Sequence, residues 1–135
     1  MATSTVSSIE RNPQPSFSEI KKRMRWSVDS SAPKTAEELS FVRRNEKGHM
    51  VWWDVTPPKT EYWHAHEMLG RAYAFELLDY VHNPESDAHE RTIGIVCKAI
   101  SGWAAATLNR TAACGMQSGF FNVLSEFIRT GTANR

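Results

Sequence analysis

The chain is poor in the features that most directly announce a function. Its two cysteines, Cys97 and Cys114, have no CxxC spacing, so neither a disulfide framework nor a zinc ribbon is indicated. No uncharged apolar run reaches the roughly 18–20 residues that a membrane-spanning helix needs. The longest apolar stretch, Thr92 to Leu108, is interrupted by Lys98 and contains Ser101 and Gly102. Charge of one sign is also lacking: 16 Lys and Arg against 15 Asp and Glu leave +1, which selects no class of partner. Met1 to Pro15 has no apolar h-region of a secretory signal. There is no glycine-rich phosphate loop, no dinucleotide fingerprint and no internal repeat. These absences predict a cytoplasmic protein with no membrane span, no cofactor and no bound metal.

Aromatic residues, in contrast, are plentiful. Five Trp, six Phe and three Tyr in 135 residues can support a packed core and exclude disorder over most of the length. Residues 1–15, rich in Ser and Thr and closed by Asn12-Pro13-Gln14-Pro15, read as a disordered arm. Residues 16–130 read as one globular domain, and 131–135 as a frayed tail. Charge is uneven along the domain: residues 51–90 carry eight acidic against two basic side chains, and 91–135 five basic against one acidic. An acidic middle can pair with its own basic flanks or face a basic partner.

The hydrophobic patterning predicts a mainly α fold, a small helical bundle with helices over about 17–25, 36–46, 60–82, 86–110 and 118–129. A minor β element is expected near 49–55, where His49 to Val55 are rich in strand formers and stop at Thr56-Pro57-Pro58. Its nearest candidate partner is Arg25 to Asp29, and on such a strand Trp52 and Trp53 face opposite sides. Thr35 and Glu38 match a capping box for the 36–46 helix, with Gly48 as its C′ residue.

The 60–82 segment is the most periodic. An arc of about 140° holds Tyr62, Trp63, His66, Leu69, Gly70, Tyr73, Ala74, Leu77, Tyr80 and Val81. Glu61, His64, Glu67, Arg71, Glu76, Asp79 and His82 lie away from it. The 86–110 segment, capped by Ser86 or Asp87, is apolar on two sides. Its second face, Ile95, Ala99, Gly102 and Ala106, is made of small residues and needs a cover. That predicts a central place in the bundle or a homodimer contact. Cys114-Gly115 reads as a break, with Ser118 capping the last helix.

The run Trp63-His-Ala-His-Glu67 invites a metal reading, and geometry opposes it. On a helix His64 and His66 stand about 200° apart, and the HExxH pattern fails at its second histidine. His66, central in the apolar arc, reads as a core histidine held by a tyrosine hydroxyl or a backbone carbonyl. Cys114 and Ser118 have no histidine nearby in sequence and miss the GxSxG elbow, so no catalytic residue is assigned.

Three functions are compatible with these residues. The first is a small non-catalytic interaction protein, an adaptor, inhibitor or regulator that binds another protein. It would use the aromatics Trp52, Trp53, Tyr62, Tyr73 and Tyr80 with the acidic Glu61, Glu76 and Asp79. The second is a nucleic-acid-associated protein contacting phosphates through Lys21, Lys22, Arg23, Arg25, Arg43 and Arg44. The third is an enzyme or ligand binder using the stripe His64, Glu67 and Arg71. That stripe should then line a recess, not a flat solvated face.

Overall fold

The computed structural model describes residues 31–130. The predicted arm, the 17–25 helix with Lys21, Lys22, Arg23 and Arg25, the Arg25–Asp29 strand candidate and the 131–135 tail lie outside these residues. Along the chain come a 3-10 turn (Ala36–Glu38), β1 (Arg43–Arg44), β2 (Met50–Val51), α1 (Trp63–His82), α2 (Thr92–Ala106) and α3 (Arg110–Arg129). The fold is mainly α with a two-stranded antiparallel sheet, as the patterning predicts.

Helix α1 begins close to the predicted start and ends where Asn83-Pro84 forbids continuation. Asn83 also anchors that end. Its Nδ2 donates to the Pro33 carbonyl at 3.1 Å, and its Oδ1 accepts from the Glu85 N–H at 2.9 Å. The last helix is longer than predicted. Asn109 caps it by accepting from the Ala112 N–H at 3.0 Å, so α3 runs through Cys114-Gly115 and Ser118 without a break.

That extension is explained by glycine. A Cβ on Gly119 would stand 2.0 Å from the Glu67 carbonyl oxygen, and one on Gly70 would stand 2.1 Å from the Met116 oxygen. On Gly115 it would meet the Trp63 oxygen at 2.8 Å and the His66 Cβ at 2.9 Å. The two helices therefore touch backbone to backbone, which a methyl group at any of these positions would prevent. Gly115 faces residues 63–67, Gly119 faces 67–71, and the Phe127 ring meets His82 at 5.1 Å. Residue numbers rise together, so α1 and α3 run parallel, and α2 is the connection between them. The α1–α3 crossing, not the 86–110 segment, is therefore the centre of the bundle.

The predicted 86–110 helix is shorter at both ends. Residues 83–91 are irregular because Asp87 is used elsewhere: its N–H bonds the Lys34 carbonyl and its carboxylate accepts from the Tyr80 hydroxyl. At the other end Arg110 turns back, and its Nη1 donates to the carbonyls of Ala104 at 2.6 Å and Thr107 at 3.1 Å. This closes α2 before Leu108. Of its small-residue face, Gly102 and Ala106 are exposed while Ile95 and Ala99 are half-buried.

The 36–46 helix is not formed beyond one 3-10 turn. Thr35 makes no side-chain cap, and Glu38 accepts from the Lys34 N–H at 3.0 Å instead. Leu39, Phe41 and Val42 are then buried in a turn, closed by the Val42 N–H donating to the Leu39 carbonyl at 3.2 Å, that leads into β1. Asn45 turns the chain, its Oδ1 accepting from the N–H groups of Lys47 and His49 at 3.0 and 2.9 Å. Gly48 completes that turn at φ +83°, a left-handed conformation, so it serves a hairpin and not a helix end. The strand near 49–55 shrinks to Met50–Val51, paired with Arg44 and Arg43. Past it, Trp53 is the hub of the core. Its ring lies 4.7 Å from Phe41, 5.2 Å from Phe120, 5.5 Å from Tyr73 and 6.2 Å from Trp103.

Candidate functional site

The polar stripe of α1 is drawn into the α1–α3 crossing. His64, Glu67 and Arg71 are three and four residues apart, which aligns them along one side of the helix. His64 Nδ1 lies 2.9 Å from Glu67 Oε1. Glu67 and Arg71 are only 8% and 7% exposed, so they do not sit on the solvated outer face that the sequence suggests. The reason is the glycine contact. Where backbones touch at Gly119, the residues flanking the crossing are enclosed even when they are polar.

Arg71 is the unusual member. Its Nε is sealed from solvent with no hydrogen-bond partner. Burial pushes the guanidinium below its ordinary pKa, while Glu67 and then Glu126 act in the opposite direction. Those carboxylates have closer partners of their own. Glu67 is held by His64, and Glu126 Oε1 accepts from Arg129 Nη2 at 2.7 Å. A glutamate that orients an imidazole, beside a guanidinium, can position and polarise an anionic group. No hydroxyl or thiol among the described residues hydrogen-bonds His64, so the dyad has no adjacent nucleophile.

His66 is fully buried, and its Nε2 donates to the Thr60 carbonyl at 2.8 Å. A backbone carbonyl holds this core histidine, as its place in the arc leads one to expect, while its Nδ1 is buried without a hydrogen-bond partner. Among the described residues no group of three or more His, Cys, Asp or Glu side chains is placed to hold a metal ion. Nor is any helix long and apolar enough to cross a membrane. Burial raises the pKa of the Cys97 thiol, which disfavours its reactive thiolate form.

The aromatic and acidic surface expected for a partner is largely internal. Tyr80 is 1% exposed and bonded to Asp87, and its phenol is pushed well above the usual range, first by burial. Tyr73 is half-buried beside Phe41 and Trp53. Trp53 is core, and Trp52, beyond the end of β2, is half-buried and packs against the same core instead of facing the opposite side. Glu76 secures the turn at residues 39–42 by accepting from the Ser40 N–H and Oγ, both at 2.6 Å. Asp79 is half-buried, and Glu61 is exposed. Arg43 and Arg44 are exposed, but each is tied to a carboxylate, Asp54 at 2.5 Å and Glu37 at 2.8 Å. Pairing weakens both as free phosphate contacts.

Exposed aromatic surface does exist at the start of α1, at the expected Tyr62 and its neighbour. Tyr62 is 68% exposed, and Trp63, predicted to point inward, is 40% exposed. Leu108, between α2 and α3, is 96% exposed. Because α1 and α3 run parallel, all three residues lie at the end of the molecule where both helices start. The signal for this arrangement was Gly115-Met-Gln-Ser-Gly119. Glycines four apart share one helix face and permit close helix approach. No protein-family model, curated protein or solved structure matches the chain.

Proposed function

We propose that this protein is a small non-catalytic interaction module, and that it docks a protein partner at the shared start of α1 and α3. The observation that carries this reading is the exposure of Tyr62, Trp63 and Leu108 at that end. Large aromatics are costly to leave in water and are enriched among residues that dominate binding energy. A folded chain with several buried aromatics of its own gains nothing in stability from keeping these two outside. The acidic contribution is reduced to Glu61, since Glu76 is engaged with Ser40.

The test is site-specific photo-crosslinking in cells of the native host. A photoreactive residue at position 62 or 108 should give a discrete crosslinked product, and one at exposed Ile128 should not. The product should disappear when Trp63→Ala is added. Equal products from all three positions, or a product indifferent to Trp63→Ala, would contradict the assignment. The mass of the product also separates a different protein from a second copy of this chain, the homodimer that the small-residue face of α2 suggests.

A further inference from the structure

We propose that the His64–Glu67–Arg71 stripe is a recognition site for a single carboxylate group. The argument starts from the rarity of what Arg71 does. Arginine is almost never enclosed unless it is paired, because removing a guanidinium from water is costly without compensating hydrogen bonds. Arg71 is 7% exposed, and its Nε has no partner. Its nearest carboxylates are committed: Glu67 to His64 at 2.9 Å, and Glu126 to Arg129 at 2.7 Å. The guanidinium is therefore the surplus donor of this cluster.

The surrounding residues suit it to an acceptor from outside. Glu67 fixes the His64 ring through Nδ1 and leaves Nε2, which accepts in the neutral ring and donates to an anion only in the imidazolium. Three and seven residues along one helix, Glu67 and Arg71 share a side with His64, so one ligand can meet both the imidazole and the guanidinium. With Nε sealed, the contact falls to the two Nη groups, whose N–H pair matches the two oxygens of a carboxylate. Charge narrows the choice further. Glu67 and Glu126 both act on Arg71 through their fields, so a doubly charged phosphate is opposed more strongly than a singly charged carboxylate.

The site is tested by NMR with acetate as the probe, and with phosphate and chloride at matched ionic strength. Acetate should shift the Arg71 Nε–H and His64 ring resonances along a saturating curve, and phosphate and chloride should not. Arg71→Lys, which keeps the charge and loses the fork, should weaken acetate binding at least about tenfold. Arg71→Met should abolish it. Lys98→Gln, exposed on α2 and outside the site, should leave binding unchanged. No saturable shift with acetate, equal shifts with chloride, or binding that survives Arg71→Met would overturn the proposal. Saturation by phosphate in preference to acetate would overturn the carboxylate assignment. Arg71→Lys keeps the test open if the Met variant does not fold.

Discussion

The α1–α3 crossing and helix α2 use the same residue to opposite ends. At the crossing, a Cβ on Gly70, Gly115 or Gly119 would collide with backbone. On α2, a Cβ on Gly94 or Gly102 would meet nothing within 4 Å. In the first region glycine lets two helices approach until their backbones touch, and its entropic cost is offset by the packing it allows. In the second it leaves a helix poorer in propensity with no contact in return. The difference shows which interface organises the molecule. The parallel pair encloses Glu67 and Arg71, and α2 connects it.

Substituting glycine in the two regions should therefore give opposite signs. The largest effect is expected for Gly119→Ala. Its Cβ would lie 2.0 Å from the Glu67 oxygen, a backbone atom that cannot swing away. Separation of the helices should cost more than about 3 kcal/mol, read by urea unfolding. Gly70→Ala should cost a similar amount, and the double variant less than the sum, because one separation relieves both clashes. A loss below about 1 kcal/mol at Gly119 would mean that the crossing can open cheaply.

An intermediate effect is expected at Tyr80, on the side of α1 that holds the irregular 83–91 segment. Tyr80→Phe removes the hydrogen bond to Asp87 and should cost about 1 kcal/mol at neutral pH. Tyr80 also sets an alkaline limit. Its phenol titrates higher in the folded chain than in the unfolded one, so the folded state holds the proton more tightly. This contribution is fully present below about pH 10, the unfolded value, and is lost as pH rises above it. A stability profile recorded between pH 8 and 11 should fall less steeply in Tyr80→Phe. Identical slopes would remove Tyr80 from the account.

The smallest expected effect is a gain. Gly102→Ala should raise stability by about 0.5–1 kcal/mol in thermal unfolding, because the added methyl favours helix and meets no atom. A loss at this position would show that a second molecule covers α2, and it would turn the contrast between the regions into a contrast between two interfaces.

How much of this was legible in the sequence depended on whether side chains or backbone made the contact. Helix α1 could be read because its apolar residues recur with helical period and Asn83-Pro84 marks its end. Trp52 and Trp53 could not be separated by strand alternation, because β2 ends at Val51 and both rings pack against one core. The start of α3 is not legible from Cys114-Gly115, since a glycine that ends a helix and one that lets helices touch are the same letter. Strand β1 was hidden for a different reason. Arg43 and Arg44 have no strand preference, and they are extended because the Asn45–Gly48 turn pairs them with β2. The His64–Glu67–Arg71 stripe was legible as a stripe. Its burial was not, because polar residues beside a glycine crossing look like a wet face.

The central claim is that α1 and α3 touch through their backbones. The most direct test is a nuclear Overhauser measurement on isotopically labelled protein. The Gly119 α-protons should show strong contacts to backbone protons of Glu67 to Arg71, and those of Gly70 to residues 116–120. Helices separated by ordinary side-chain layers, 8–10 Å axis to axis, give no such contacts. Their absence at both glycines would contradict the crossing, and with it the enclosure of Arg71.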